Sequence, residues 1–290
     1  MPIPSGLPVV DHHCHLSPAG EGVEAARRFR AAGGTHLFLT TQNYDRVPPR
    51  SLEDYERQFA TTESLARRIR EETGTVVYPV IAPYPVDLVD AVGTLGPGGA
   101  RDLQRTALDL AGRWVRERRA FALGEVGRPH FAVPEVVAQV AEEVLAHAFE
   151  VARESGCPIV VHAAELSGEE LAALAARARS AGLAAGRVIK HYSRRRLSVA
   201  ERHETVPSYL AERELVLSVR NDPGPWFLET DFLDDPARPG AVLDIATVPR
   251  RARAIAESGP SGAESLWVPF VESVERVYGW RPEPLREAPR

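Results

Sequence analysis

The sequence predicts an α/β protein in which eight parallel strands close into a (β/α)8 barrel, also called a TIM barrel. Short apolar segments alternate with longer amphipathic segments along the chain, which is typical of parallel βα units. Eight segments read as strands, the number that closes such a barrel. The 290 residues are also about the usual length of one barrel. We therefore expect a single domain over residues 1–280, followed by a frayed C-terminal tail over 281–290.

The eight predicted strands are segments in which apolar and β-branched residues are concentrated. In chain order they cover residues 7–11, 35–41, 75–83, 121–127, 157–163, 186–193, 214–219 and 226–231.

The segments between these strands carry helix signals. Ser51 and Asp54 stand where N-terminal capping residues belong, so a helix is expected over 51–73. Ser167 and Glu170 form a capping-box pattern at the start of another helix. The remaining helices are expected near 22–32, 86–95, 101–119, 133–156, 247–258 and 263–278, and the capping-box helix covers 167–182.

Composition excludes some classes of protein. The formal net charge is -5, and neither a basic surface nor an aromatic ladder indicates a stable nucleic-acid partner. No apolar run approaches the roughly 20 residues that span a bilayer, so no membrane partner is expected. Cys14 and Cys157 make no disulfide framework, and the N-terminus lacks a secretory signal, which favours a cytoplasmic protein.

Side chains that can bind metal ions stand at the ends of the predicted strands. They are His13, His15, Glu125, His162, His191 and Asp231. In a barrel, the C-terminal ends of all strands open onto one face. Alternation along a strand places His13 and His15 on the same side. Because imidazole and carboxylate groups suit zinc, iron or manganese, we expect a metal site at this mouth.

Other polar residues near these motifs are expected to lie outside the metal site. Alternation directs His12 away from His13, toward the helix layer or a gap between strands, and turns Cys14 outward as a buried apolar side chain. It also directs Lys190 toward the helices, where we expect a structural salt bridge rather than a catalytic role. His36 and His147 are expected to be structural.

Five residues are candidate substrate contacts. His130 follows Glu125 closely and could overhang the mouth, and His203 could belong to a lid. Arg194 and Arg195 stand shortly after His191, where they could hold a phosphate or carboxylate or simply form a solvated helix start. Glu165 follows the fifth strand.

The segments "DHHCHL", "GEVGRPHF", "PIVVHAAE", "IKHYS" and "FLETDF" together resemble the TatD-type metal-dependent hydrolases of the amidohydrolase superfamily, from about residue 8 to about residue 258. The resemblance implies an amidohydrolase-like barrel with two divalent metal ions, zinc first and manganese, iron or magnesium as alternatives. His13, His15 and Asp231 would hold one ion and His162 and His191 the other. Glu125 would bridge both ions, and Asp231 would also act as general acid/base on a metal-activated water.

The sequence departs from the family pattern around the expected substrate pocket. Ala164 stands where these nucleases typically carry arginine, and "YSRRR" replaces the usual Cys-Phe-Ser-Gly. We therefore expect a hydrolase of a small-molecule or nucleotide-like substrate, with a phosphodiester or other phosphorylated compound preferred and deoxyribonuclease-like activity as one form of it. A deaminase, suggested by "HAAE", and a lactonase or amidase are the alternatives. A barrel that binds metal without catalysis is less well supported.

Overall fold

One curled parallel sheet, with helices between successive strands, organises the computed structural model, which describes residues 2–283. The strands are β1 (Val10–His15), β2 (His36–Thr40), β3 (Val76–Ile81), β4 (Ala122–Gly127), β5 (Ile159–His162), β6 (Val188–Ser193), β7 (Val206–Leu210), β8 (Phe227–Glu229) and β9 (Phe232–Leu233). Their spatial order is β8-β7-β6-β5-β4-β3-β2-β1-β9. The predicted TIM-barrel fold is therefore confirmed.

The helices form the outer layer of the barrel. They are α1 (Val23–Ala31), α2 (Leu52–Thr73), α3 (Asp87–Arg116), α4 (Glu135–Ser155), α5 (Gly168–Ser180), α6 (Val199–Arg202), α7 (Arg213–Val219), α8 (Thr247–Glu257), α9 (Pro260–Ser265) and α10 (Ser273–Tyr278), with a π-helical segment at Val268–Glu272. The predicted capping boxes are present at the starts of α2 and α5. Helix α3 is broken at Gly96, whose φ is 71°, which agrees with the two helical pieces expected there.

The last strand is divided in two, and this division closes the barrel. β8 pairs with β7, whereas β9 pairs with the tip of β1, and only Thr230 and Asp231 separate β8 from β9. The buried carboxylate of Asp11 on β1 accepts hydrogen bonds from the backbone N–H of Thr230 at 3.0 Å and from its hydroxyl at 2.6 Å. The backbone N–H of Asp231 donates to the carbonyl of His13 at 3.0 Å. These bonds join the two ends of the sheet.

The prediction of the seventh strand at 214–219 is wrong. That segment is helix α7, and β7 lies earlier, at Val206–Leu210. A short apolar run does not distinguish a buried strand from a buried helix. Leu215, Val216 and Val219 face the interior together because their spacing fits a helix. In β7, Pro207 weakened the strand signal, since proline cannot donate a backbone hydrogen bond.

Aromatic side chains fill the barrel below the strand tips and close its N-terminal end, which we call the floor. Tyr278 and Trp280 lie against Phe38 and Tyr78, with ring centroids 4.9 Å apart for Tyr278–Phe38 and 4.7 Å apart for Trp280–Tyr78. The backbone N–H of Glu283 donates to the Tyr78 hydroxyl at 2.9 Å. The chain is thus fastened to the floor as far as Glu283. The rest of the predicted frayed tail, residues 284–290, lies outside the described residues.

The helices of the barrel are amphipathic rather than apolar throughout. Within residues 2–283, none is long and apolar enough to cross a membrane.

Candidate metal centre

The six side chains predicted as metal ligands lie together at the mouth of the barrel. Five are buried, and Asp231 is the most exposed of the set, with 16% of its side chain accessible. They come from β1, β4, β5 and β6 and from the junction between β8 and β9. The convergence expected from the strand ends is therefore present in the structure.

The first group of possible ligands consists of His13, His15 and Asp231. The Nε2 atoms of the two histidines are 3.2 Å apart. The Oδ1 atom of Asp231 lies 3.7 Å from each of them. On the other side of the rings, the carbonyl of Thr40 lies 3.3 Å from His15 Nδ1 and its hydroxyl 3.4 Å from His13 Nδ1. Thr40 thereby helps to direct both Nε2 atoms into the mouth.

The second group consists of Glu125, His162 and His191. Glu125 Oε1 lies 2.6 Å from His191 Nε2 and 2.9 Å from His162 Nδ1, and those two nitrogens are 3.0 Å apart. Glu125 also reaches the first group, because its Oε1 is 3.3 Å from His13 Nε2 and its Oε2 is 3.7 Å from His15 Nε2. Its carboxylate therefore stands between the two groups.

Irregularities in the strands place these side chains. β1 carries one extra residue between Asp11 and Cys14, β4 one between Gly124 and Val126, and β6 one between Lys190 and Ser193. A β-bulge of this kind redirects the side chains beside it. Each of these three strands supplies at least one member of the two groups at or directly beside its bulge.

The bulge in β1 overturns the prediction for His12. Strict alternation sends this side chain toward the helix layer, but the extra residue turns His12 and His13 into the barrel together. His12 stacks on Phe227 with a centroid distance of 3.8 Å, and its Nε2 lies 2.8 Å from the hydroxyl of Tyr278. Burial lowers the pKa of His12 to about 3, so this histidine is a neutral part of the core beneath the mouth. Cys14 packs on the outer side of the sheet, as predicted.

The chemistry of both groups fits divalent metal ions. Two nitrogen ligands at about 2.0–2.1 Å from a zinc ion lie roughly 3 Å apart, which is the spacing of the paired imidazoles here. Glu125 Oε2 is buried and has no hydrogen-bond partner among the described residues, although a buried carboxylate oxygen normally has one. A cation between the rings would satisfy that oxygen.

The electrostatics of the mouth also favour cations. Burial lowers the pKa of His15 to about 3 and lowers that of His162, which leaves both rings neutral, the form that binds metal. Burial alone would lower the pKa of His191, but the carboxylates of Glu125 and Glu229 outweigh it and raise the pKa to about 9. Burial raises the pKa of Asp231. Glu125 and Glu229 thus favour a positive charge on His191 in this buried place, and a divalent ion bound there would supply that charge in place of the proton.

Glu229 is a functional candidate that sequence reasoning missed. It is fully buried, its Oε1 lies 3.4 Å from Nδ1 of His191, and the backbone N–H of Tyr192 donates to the same oxygen at 2.6 Å. A carboxylate behind a histidine fixes the ring so that its other nitrogen can bind a metal. The available signal was the segment "FLETDF", in which Glu229 stands two positions before Asp231 and therefore on the same side of the strand.

A cavity of about 420 Å³ lies over the two groups and receives three of the five predicted substrate contacts: His130, Glu165 and Arg194. Arg194 forms an ion pair of 2.9 Å with Glu212. Tyr84, Leu233 of β9 and Arg238 also line the cavity, from parts of the chain that the sequence did not connect with the site.

Arg195 and His203 are not on this cavity wall. The guanidinium of Arg195 pairs with Glu201 at 2.9 Å and donates to the carbonyl of Leu166 at 3.2 Å. His203 follows α6 and precedes the first residue of β7, so it lies toward the floor and not in a lid. The sequence placed it correctly after β6 but could not show at which end of the barrel that segment lies.

Three further predictions concern residues outside the two groups. Lys190 is buried as expected, yet no carboxylate in the described part of the chain forms the predicted salt bridge, and its Nζ donates instead to the carbonyl of His191. His36 lies at the floor, 2.7 Å from the carbonyl of Glu283, and His147 lies on α4, 2.7 Å from Asp109. Neither histidine is near the mouth.

Known proteins resemble this chain over nearly its whole length. The sequence model of TatD related DNases matches residues 10–279. An uncharacterised protein of Methanocaldococcus jannaschii is 30% identical over 282 residues, which cover 96% of this chain and 98% of the relative.

Two solved structures share the fold at low sequence identity. A TatD-like protein of Archaeoglobus fulgidus superposes with a TM-score of 0.62 at 15% identity, over 93% of this chain and 100% of that one. The organophosphorus hydrolase of Deinococcus radiodurans gives 0.61 at 16% identity, over 94% of this chain and 93% of that one.

Proposed function

Because the chain belongs to the TatD-related DNase family and is a metal-dependent hydrolase, we propose that it hydrolyses a small phosphodiester or another phosphorylated compound at two divalent metal ions. The observation that carries this proposal is the convergence of six metal-competent side chains beneath one cavity. His13, His15 and Asp231 would hold one ion, His162 and His191 would hold the other, and Glu125, which stands between the two groups, would contribute to both. Zinc is the first choice for this donor set, with manganese, iron or magnesium as alternatives.

The ions contribute chemistry that the side chains lack. When bound, divalent ions lower the pKa of water toward about 7 and stabilise negative charge that develops on a reacting phosphoryl oxygen.

Asp231 moves the proton in this proposal. Its carboxylate takes a proton from the attacking water and returns one to the leaving oxygen, as a general acid/base does. Two features support the assignment. Asp231 lines the cavity, and it is the most exposed of the six side chains. It can therefore contact the first group of ligands on one side and a substrate in the cavity on the other.

The cavity supports a small substrate rather than a long nucleic acid. A volume of about 420 Å³ suits a molecule of nucleotide size. Arg194 offers a cation for a phosphate, but it is shared with Glu212, and Arg238 is shared with Asp235 at 3.0 Å. Paired arginines give the mouth little of the excess positive charge that long phosphate backbones require.

A lactonase or amidase is the second candidate, because Ala163, Ala164, Leu233 and Val242 give the cavity an apolar wall. A deaminase is less well supported. In that reaction Glu165 would donate a proton, yet its carboxylate accepts the backbone N–H of Arg194 at 3.0 Å.

Both buried cysteines are free, which supports the cytoplasm as the compartment.

A substrate panel tests the proposed function. Protein loaded with Zn²⁺ or Mn²⁺ is assayed against nucleic acid, model phosphodiesters and phosphomonoesters, lactones, dipeptides and aminopurines. We expect phosphodiesters or phosphomonoesters to give the highest kcat/KM. Arg194→Ala should raise KM for the phosphorylated substrate, whereas Arg195→Ala should leave it unchanged because its guanidinium is bound away from the cavity. Turnover of lactones alone would reject the phosphoryl assignment.

A further inference from the structure

We propose that His130 is a positioning residue for the second metal ion: it holds the ring of His162 in the orientation and tautomer that bind metal. This proposal rests on the proposed function only in assuming that ions bind at the mouth. It assigns His130 a role beyond the substrate contact that its place in the sequence indicates.

The two nitrogens of His162 face different partners. Nδ1 lies 2.9 Å from Glu125 Oε1 and 3.0 Å from His191 Nε2, inside the second group of ligands. Nε2 lies 3.0 Å from Nδ1 of His130. The His162 ring therefore presents Nδ1 to the ion and Nε2 to His130.

The chemistry of imidazole sets the tautomers of both rings. Nδ1 of His162 can bind an ion only through its lone pair, so the proton of the neutral ring must be on Nε2. That N–H then donates to Nδ1 of His130, which must be unprotonated, while His130 carries its own proton on Nε2. The competing tautomer of His162 would donate its Nδ1 proton to Glu125 and could not bind an ion through Nδ1, the nitrogen that lies inside the second group. His130 stabilises the tautomer that can.

The backbone brings His130 into place through a close contact with His162. A Cβ atom at Gly127, whose φ is +137°, would stand 2.2 Å from the carbonyl oxygen of His162, so only glycine fits there. The next residue, Arg128, donates its backbone N–H to the same carbonyl at 3.0 Å. The loop after β4 is thus fixed against the end of β5, and His130 reaches His162 from it.

Zinc affinity distinguishes this role from a substrate contact. Titrations of Zn²⁺ against a chromophoric chelator, without substrate, are made on the wild type, His130→Ala, His130→Asn and Phe131→Ala. Loss of a hydrogen-bond partner behind a metal-binding histidine typically weakens metal binding about 10–100-fold. We expect that loss for one of the two ions in His130→Ala. His130→Asn should recover most of the lost affinity, because the side-chain oxygen of asparagine is attached at the same position as Nδ1 of histidine and can accept the same hydrogen bond.

Phe131→Ala is the matched control, since Phe131 is an exposed neighbour in the same loop and makes an edge contact with the His130 ring. Its affinity for both ions should equal that of the wild type. Wild-type affinities in His130→Ala would overturn the proposal and leave His130 as a substrate contact at most. The proposal would also be overturned if His130→Ala and His130→Asn lost the same Zn²⁺ affinity, or if the affinity fell equally for both ions. Either result would indicate a general effect on the loop. A wild type that binds no Zn²⁺ would reject the proposed function as well, so the two failures are distinguishable.

Discussion

Each of the four histidines among the six clustered side chains at the mouth has a neighbour that limits how its ring can turn. Thr40 contacts the outer nitrogens of His13 and His15, Glu229 contacts His191, and His130 contacts His162. Such contacts hold reactive groups in place before a substrate arrives, which is a condition for efficient catalysis.

The proton-transfer role of Asp231 can be isolated by a nearly isosteric change. Asp231→Asn cannot accept a proton from the attacking water, so kcat should fall roughly 10²–10⁴-fold on the best substrate of the panel. Steady-state kinetics at saturating Zn²⁺ measure this loss, and circular dichroism checks the fold. A variant with wild-type kcat would assign the proton transfer to another group.

At this scale the sequence predicted which six side chains lie together at the mouth but not every orientation. The six candidates could be found because they stand at strand ends, and strand ends of a barrel share one face. His12 was misplaced because alternation assumes a regular strand, and nothing in "DHHCHL" shows that β1 carries an extra residue there. Glu229 was missed although it stands two positions before Asp231, because its role is recognised only from its contact with His191.

At the scale of elements, the junction between β1 and the last strand combines two tasks. It closes the barrel through Asp11 and Thr230, and it carries His13 and Asp231 directly beside that closure. The order of the strands was predictable from the alternation of segments. The position of β7 was not, because short apolar runs are ambiguous and tertiary packing decides between them.

The closure can be tested by removing the acceptor. Asp11→Ala leaves the buried N–H groups of Thr230 and His13 without their carboxylate partner, and each such loss costs about 1–3 kcal/mol. We expect the free energy of unfolding in urea, measured with a chelator present, to fall by about 2–5 kcal/mol. Thr230→Val, which removes only the hydroxyl, should lose about 1 kcal/mol. Equal stabilities of Asp11→Ala and the wild type would show that the barrel is closed by other contacts.

His36 at the floor should make the free energy of unfolding depend on pH, independently of the groups at the mouth. His36 is buried beside the carbonyl of Glu283, and burial lowers its pKa from 6.5 to about 4 despite that hydrogen bond. Between these values the unfolded chain binds more protons than the folded one at this site. Stability from this group is therefore fully present above pH 6.5 and is lost as the pH falls toward 4. The loss is at most roughly 3 kcal/mol, since each pKa unit corresponds to 1.36 kcal/mol.

Urea unfolding of the wild type and His36→Gln at several values between pH 7 and pH 4 measures this contribution. The variant should lose less stability than the wild type over that interval, because glutamine does not titrate. If the two proteins lose stability in parallel, His36 does not carry the effect.

At the scale of the whole molecule, the two ends of the barrel have different compositions and different tasks. Aromatic rings and the segment up to Glu283 close the floor, while histidines and carboxylates occupy the mouth. Barrels generally place chemistry at the C-terminal ends of their strands and stability at the other end. The lining of the cavity was the least predictable feature, because Tyr84, Leu233 and Arg238 reach it from parts of the chain whose meeting depends on the complete fold.

Anomalous scattering from crystals grown with Zn²⁺ shows whether two metal ions bind at the mouth of the barrel. We expect two peaks per chain at the mouth, one about 2 Å from ligand atoms of His13, His15 and Asp231, the other equally close to His162 and His191, with Glu125 contacting both. Zinc bound only elsewhere on the protein, or no zinc peak at the mouth, would contradict the proposed two-metal centre.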